Sequence, residues 1–339
     1  MRPKQWIWLC AAILVAAQGV AAQVPYLVQD LNPPHESVPG SRPQRFVSLG
    51  ARALFIATTD LAPYELWSSD GTSAGTQAIR FPCAIYCDTA PPGVNSVLGV
   101  QDGIAFLAVG EFDPAIHQSR DHLWRTDGTQ AGTRRLTAAE GFDYLFPDGA
   151  ITAPVFLNGR LFFAHRREET GPLELWSTDG TEGGTAFVAV LDVGASATPA
   201  AIVPVGSELF LLLRKFHPVY HLALWKSDGT EAGTVEIEIF LGSFQSVEAA
   251  IPAEAVLFFS ARTPIEGSPD TFSDQLWVTD GRPGGTRKLT AFPAYTSLPH
   301  TKLRLDDGRL HFYIEDSVGI LQVWQSDGTV DGTFPLSAF

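Results

Sequence analysis

Six aspartates are the residues of this sequence whose type and regular spacing most directly suggest chemistry. Each lies three positions after a tryptophan, in a phrase that first occurs as Trp67-Ser-Ser-Asp-Gly-Thr-Ser-Ala-Gly-Thr76. Calcium is one hypothesis, but one acid per turn falls well short of its six to eight oxygen ligands. The alternative is that each carboxylate accepts hydrogen bonds from the backbone of its own turn. The six are Asp70, Asp127, Asp179, Asp228, Asp280 and Asp327.

No catalytic constellation is visible among the remaining polar residues. The eight histidines are scattered, and neither a His-Glu-x-x-His zinc motif nor a phosphate loop occurs. His217 and His221, four positions apart, form the best pair for a ligand or a metal ion. The sequence therefore predicts a protein that is not an enzyme and that carries no cofactor, with calcium as the alternative.

The elements that position these residues follow from the repeat as a whole. The tryptophans lie at intervals of 57, 52, 49, 52 and 47 residues, a period typical of propellers and similar arrays. In one unit, two apolar runs flank Asn158-Gly159, and a second pair of runs flanks the turn from Asp179 to Gly184. Asn-Gly is a hairpin dipeptide because both of its residues accept positive φ. Two hairpins make one four-stranded antiparallel blade. The tryptophans are Trp67, Trp124, Trp176, Trp225, Trp277 and Trp324.

This pattern predicts an all-β, six-bladed β-propeller over residues 23–339, with seven blades, one of them degenerate, as the alternative. Leu175 and Trp176 are adjacent in a strand and point to opposite faces, so both faces of a blade are expected to be buried. Ring closure has two candidate strands, the segment 26–31 and the segment 333–336. Either segment would pair with the exposed edge strand of a blade, which could otherwise pair with another chain and aggregate.

The repeated phrase resembles the bacterial ELWxxDGT repeat of exported proteins. Its tryptophan, aspartate, glycines and final threonine recur in register in all six copies, and the match runs from about Tyr26 to the C-terminus. The initial glutamate is kept only at Glu65 and Glu174. The resemblance implies a propeller-like surface or secreted protein, and it transfers no catalytic residue.

The long connections between units vary, whereas the hairpin turns are stereotyped. In a four-stranded meander these two kinds of connection lie at opposite ends of the blade, and variable loops on a rigid scaffold commonly carry binding residues. A carbohydrate or peptide ligand is predicted there, against the alternative that the same aromatic residues only pack the crossings. The candidate face comprises Phe142, Tyr144, Phe216, His217, Tyr220, His221, Tyr295 and His300.

The N-terminal residues read as an export signal. Arg2 and Lys4 precede an apolar run, and Val20-Ala21-Ala22 offers a small-residue cleavage site, so residues 1–22 are predicted to be removed. The mature chain then has 21 basic and 37 acidic side chains, a net charge of −16, which disfavours nucleic acid. In an oxidising compartment, Cys83 and Cys87 are predicted to form a local disulfide, with a metal site as the alternative.

We therefore expect an exported, monomeric binding module without a membrane span, located in the periplasm, on the cell surface or in the medium of a bacterium. Its partner is predicted to be an extracellular protein or glycan. The competing hypotheses are an extracellular hydrolase or lyase on the same scaffold, and a purely structural envelope protein.

Overall fold

The computed structural model describes residues 42–58, 64–82, 92–113, 118–137, 154–166, 171–192, 197–215, 221–241, 246–265, 267–298 and 303–336. Within these ranges the chain forms strands and turns and no helix, and hence no helix able to cross a membrane. Several predicted features lie outside the described residues. These are the signal segment 1–22, the closure segment 26–31, Cys83, Cys87, Phe142, Tyr144, Phe216, His217, Tyr220 and His300.

The described residues form six four-stranded antiparallel sheets, each built from four strands that follow one another in the sequence. We number the sheets 1 to 6 in chain order. Sheets 1 to 3 contain β1 Gln44–Ser48, β2 Ala53–Ala57, β3 Glu65–Ser69, β4 Gln77–Ile79; β5 Gly93–Gln101, β6 Ile104–Asp113, β7 Gln118–Thr126, β8 Arg134–Arg135; and β9 Val155–Leu157, β10 Arg160–Arg166, β11 Leu173–Thr178, β12 Ala186–Asp192. Sheets 4 to 6 contain β13 Ala197–Val205, β14 Glu208–Lys215, β15 His221–Ser227, β16 Val235–Leu241; β17 Val247–Ala253, β18 Val256–Ile265, β19 Ser268–Thr279, β20 Arg287–Lys288; and β21 Leu303–Asp306, β22 Arg309–Glu315, β23 Leu321–Ser326, β24 Phe334–Pro335.

Local turn chemistry explains why each sheet is a meander. In sheet 3, Leu157 pairs with Arg160 across the two-residue turn Asn158–Gly159. Both turn residues have positive φ, 49° and 76°, as the twisted two-residue hairpin requires. The apolar runs beside this turn then pair as predicted.

The first strands of successive sheets lie next to one another. β1 contacts β5, β9 contacts β13, and β17 contacts both β13 and β21. Between sheets 2 and 3, a Cβ added to Gly99 of β5 would lie 2.7 Å from the ring of Phe156 in β9. Six such sheets arranged about their first strands are the blades of a propeller, so the predicted six-bladed β-propeller is confirmed. We call the sheets blades 1 to 6 from here on.

The fourth strand of blade 6 comes from the C-terminal candidate segment. β24 pairs with β23 through Pro335 opposite Trp324 and Phe334 opposite Gln325. Each described blade is therefore complete from its own four strands, and none combines strands from the two ends of the chain.

Each described blade boundary buries the repeat leucine of one blade against the repeat tryptophan of the next. Leu175 and Trp225 belong to one apolar cluster between blades 3 and 4, and Leu224 and Trp277 belong to the next. The repeat leucines of blades 1 to 5 have no exposed surface. Trp67 and Trp124 are buried, and the other four repeat tryptophans are half-buried. The phrase thus interlocks neighbouring sheets.

Blade 6 departs from this pattern on its face away from blade 5. Val323 is only half-buried there, and Tyr313 beside it is 41% exposed. The expectation that both faces of every blade are buried is wrong for this face. The reason is that strand alternation places Arg304, Arg309 and Glu315 on the same face, and their charges favour water.

Candidate functional site

The repeated aspartates close their own turns. In blade 2, Asp127 Oδ1 accepts hydrogen bonds from the Thr129 amide at 2.8 Å and from the Thr129 hydroxyl at 2.7 Å. The same hydroxyl accepts a hydrogen bond from the Gly132 amide at 3.0 Å. Thr133 then donates its hydroxyl to the Thr129 carbonyl at 2.7 Å. This network recurs in the turns that contain Asp70, Asp179, Asp228 and Asp327.

The second glycine of the phrase is needed because the aspartate occupies the space of a side chain. A Cβ built on Gly132 would lie 2.0 Å from Asp127 Oδ1. Contacts this short do not occur between real atoms, so any side chain here would displace the carboxylate from the turn. The spacing of Asp and Gly in the phrase is therefore a packing requirement of the turn.

One copy of the phrase, Gly71-Thr-Ser-Ala-Gly75, also spells the Gly-x-Ser-x-Gly pattern of serine hydrolases. That pattern needs a sharp turn from a strand into a helix, which exposes the serine beside an oxyanion hole. Here the five residues join β3 to β4 in a strand–turn–strand hairpin. The structural context of a nucleophile is therefore absent from this described turn.

Blade 5 breaks the network at one position. Arg282 stands where the other five turns have threonine, so there is no hydroxyl to donate to Asp280. Asp280 Oδ1 accepts the Arg282 amide at 3.0 Å, as its equivalents do. From the sequence alone, this change reads as a tolerated variation of the turn.

The threonine hydroxyl has an electrostatic consequence in the five regular turns. Its hydrogen bond to the ionised carboxylate is the main reason that the pKa of Asp127 lies below its usual value. The pKa values of Asp70, Asp179, Asp228 and Asp327 are lowered for the same first reason. Since the folded-state pKa is the lower one, the contribution to stability is complete above the unfolded-state pKa. It is lost as the pH falls through the folded-state pKa.

The Thr129→Val variant tests this linkage. It should be less stable than the wild type at pH 7 by about 1 kcal/mol, because the hydroxyl hydrogen bonds are gone. Between about pH 5 and pH 2 it should lose less stability on acidification, because the largest cause of the lowered pKa of Asp127 is gone. Thermal melting across this pH range measures both effects. Arg282→Val is the control, since its turn has no such hydroxyl, and an identical acid response of Thr129→Val and wild type would contradict the linkage.

The residue two positions before the repeat tryptophan has a role that could not be read from the sequence. Glu174 Oε2 accepts the indole N–H of Trp176 at 2.8 Å, and Gln322 Oε1 accepts that of Trp324 at 3.2 Å. In blade 2, Glu111 Oε1 accepts the indole N–H of Trp124 at 3.1 Å. An acceptor beside a buried or half-buried indole removes the cost of an unpaired donor and fixes the ring.

Calcium finds no ready set of ligands among the described residues. No group of three or more His, Cys, Asp or Glu side chains there could hold a metal ion. One oxygen of each regular repeat aspartate is already engaged by its threonine. The calcium hypothesis stays a prediction. It would be contradicted if a chelator left the melting temperature of the protein unchanged.

At the loop end, His221 begins β15 and lies beside a charged cluster between blades 3 and 4. It pairs in register with Lys215 of β14. The Lys215 ammonium lies 3.6 Å from Asp192 Oδ1 and 3.2 Å from Glu236 Oε2. It also lies 5.9 Å from the centre of the Trp225 ring. Lys215 is thus held by partners within the protein, and the cluster stiffens this boundary.

Tyr295 lies on the crossing from blade 5 to blade 6, and it is 64% exposed. The crossing is held by the buried side chain of Gln275. Its Nε2 donates a hydrogen bond to the Phe292 carbonyl at 3.0 Å, and its Oε1 accepts one from the Phe292 amide at 2.9 Å. The Tyr295 amide donates to the Phe272 carbonyl at 2.9 Å, and Asp274 Oδ2 accepts the Leu298 amide at 2.9 Å. This loop is therefore a rigid support for its exposed tyrosine.

The backbone of Tyr295 adopts φ of +63°, in the left-handed region that a tyrosine rarely occupies. The fixed ends of the crossing hold this conformation. Strain of this kind is tolerated where the surrounding structure over-determines it, and such sites are frequently functional.

A second loop with exposed apolar side chains is joined to this crossing. Ser297 and Glu315 exchange two backbone hydrogen bonds of 2.9 Å, which join the crossing to the end of β22. The β22–β23 loop that follows is tied by Asp316 Oδ1, which accepts the Val318 and Ile320 amides at 3.0 and 2.8 Å. We call Tyr295, Val318, Ile320 and Leu321 the apolar ridge; they are 64%, 76%, 41% and 43% exposed.

The sequence identified only part of this surface. Tyr295 was predicted from its residue type and loop position, whereas the aliphatic members of the ridge were missed. Val318, Ile320 and Leu321 precede or begin a strand, so their pattern is that of an ordinary apolar run. Only the tight turn at Asp316 exposes them.

No protein-family model matches the chain, and no curated protein matches it. Among solved structures, a puromycin hydrolase is 12% identical, with 88% of this chain aligned to 45% of that chain at a TM-score of 0.48. This chain thus spans less than half the length of that protein.

The β-propeller domain of the Trilobed protease from Pyrococcus furiosus is 10% identical, with 88% of this chain covering 84% of that chain at a TM-score of 0.42. A puromycin-hydrolyzing peptidase of Mycobacterium tuberculosis is 13% identical, with coverages of 87% and 44% and a TM-score of 0.46. The hydrolase and protease activities in these names belong to those proteins alone.

Proposed function

We propose that this chain is an exported, non-enzymatic binding module of the ELWxxDGT type, which captures an extended peptide segment of a partner protein on the apolar ridge. The observation that carries the proposal is the exposure of Tyr295 on a loop anchored by Gln275 and Asp274. A rigid aromatic side chain loses little conformational freedom on binding, which favours affinity.

The composition of the ridge favours a peptide over a polar ligand. Three exposed aliphatic side chains lie on the segment that the Ser297–Glu315 bridge joins to the crossing of Tyr295, and clustered exposed apolar surface marks interaction sites. Glu315, exposed at the edge of the ridge, and the negative charge of the whole chain favour basic residues beside the apolar ones in the ligand.

The test is to screen residues 23–339 against a library of peptides that combine aromatic or aliphatic residues with lysine or arginine. Tyr295→Ala should weaken the best binder by about tenfold or more, as expected for a central aromatic contact. The matched control is Tyr64→Ala, because Tyr64 is also an exposed tyrosine, 52% exposed with φ of +59°, but lies on blade 1.

Two outcomes would overturn the proposal. Equal losses for both tyrosine variants would place the site away from the ridge, and binding of glycans alone would exclude a peptide ligand. Mass spectrometry of the recovered peptide addresses the enzymatic alternative. We expect to recover the peptide intact. Cleavage at a specific bond would contradict the non-enzymatic proposal and favour the hydrolase hypothesis.

A further inference from the structure

A cavity of about 540 Å³ opens between blades 4 and 5 at the turn end, opposite the apolar ridge. Blade 4 lines it with Glu208 next to the β13–β14 turn and with Lys226 of β15. Blade 5 lines it with Glu254 of the β17–β18 turn and with Asp280 and Arg282 of its repeat phrase. Its volume lies in the range of about 300–1,000 Å³ that is common for small-molecule sites.

The residues of blade 5 that differ from the other blades line this cavity. Arg282 replaces the threonine of the other turns, and it leaves the Asp280 carboxylate with one donor fewer than its five equivalents. Glu254 has φ of +35° at the turn position where the neighbouring blade uses Gly206. A glutamate here is strained as well as unusual, and it lines the cavity.

The lining offers both hydrogen-bond donors and acceptors. Charged side chains make up five of the eleven lining residues, and the others include the apolar Val205, Phe210 and Val256. The Lys226 ammonium lies 3.2 Å from Glu208 Oε1, so these two charges balance each other. The two further carboxylates and the Arg282 guanidinium then give a mixed surface with little net charge.

This mixture is poorly suited to a simple ion. Three carboxylates disfavour a small anion, and the Lys226 and Arg282 side chains disfavour a metal cation. A hydroxyl group, in contrast, both donates and accepts: it donates to carboxylates and accepts from arginine and lysine. The apolar walls can contact the C–H faces of a compact ring.

We propose that this cavity binds a neutral, polyhydroxylated ligand of the size of a mono- or disaccharide. The Asp280 and Glu254 carboxylates accept hydrogen bonds from ligand hydroxyls, and Arg282 donates to hydroxyl oxygens. The site is separate from the peptide-binding ridge and does not depend on it.

The experiment titrates residues 23–339 with glucose, maltose, cellobiose, trehalose and sucrose by calorimetry. At least one sugar should bind saturably. Arg282→Thr and Asp280→Asn should each weaken that binding by about tenfold or more, because each removes a charge-assisted hydrogen bond. Arg282→Thr should fold normally, since threonine is the residue of the other five turns. Glu231→Gln, an exposed acid in the blade 4 turn outside the cavity, is the control and should bind like the wild type.

Three results would overturn the proposal. The first is the absence of a saturable signal with every sugar up to about 10 mM. The second is binding that both cavity variants leave unchanged. The third is sugar binding that Tyr295→Ala abolishes, which would move the sugar to the ridge. Loss of peptide binding in Tyr295→Ala with sugar binding retained would support both sites independently.

Discussion

Replacing Gly281 with alanine is expected to lower the free energy of unfolding by about 2–4 kcal/mol. The backbone at this first glycine of the blade 5 turn has φ of +70°, which costs alanine about 1 kcal/mol or more. In addition, the new Cβ would lie 2.5 Å from Cζ of Phe210 in blade 4. Phe210 is buried, so the ring and the turn must separate.

Gly71→Ala provides the matched control for this prediction. Gly71 occupies the same position in blade 1 with φ of +85°, but an added Cβ would meet no described atom within 4 Å. It should therefore show the backbone cost alone, about 1 kcal/mol. Urea unfolding followed by tryptophan fluorescence measures both variants. Equal losses would mean that the contact between the turn and the neighbouring blade contributes nothing.

Leu224→Ala should have an effect of similar size, a loss of about 2–5 kcal/mol in the free energy of unfolding. Leu224 has no exposed surface and packs in the cluster that contains Trp277 of the next blade. Removing its side-chain carbons leaves a cavity between two sheets, and close-packed sheets relax only partly into such a space. The same urea experiment gives the value.

Leu321→Ala is the control for the interlock between blades. It makes the same chemical change in the third strand of blade 6, where Leu321 is 43% exposed. Its cost should stay within about 0.5 kcal/mol, as is usual at surface positions. If both leucine variants lost the same stability, the repeat leucine would not hold neighbouring blades together.

The blade itself could be predicted from the sequence, because its determinants are local. Asn158–Gly159 specifies a two-residue hairpin through its own φ preferences, and the alternation of Leu175 and Trp176 specifies two buried faces. The repetition of these signals at a period of about 50 residues then specified the propeller. Even the aspartate turn follows this logic, since Asp127 binds Thr129 two residues away.

The candidate sites could not be predicted from the sequence, because their determinants are residues that are distant in the sequence. Arg282 looks like a neutral exception in the sequence, and only the structure places it in one cavity with Glu208 and Lys226 of another blade. Likewise, Val318 looks like an ordinary core residue in the sequence, whereas in the structure it is exposed in the turn that Asp316 closes.

The sequence by itself thus determined the repeat, the hairpins and the leucine–tryptophan pairs, because turn preferences and the two-residue period of a strand act over a few positions. Only the tertiary structure decided which departures from the repeat lie together. Whether the charged face of blade 6, the ridge or the cavity is exposed depends on which residues of another blade or loop lie opposite. That juxtaposition is set by how the blades and their loops pack against one another.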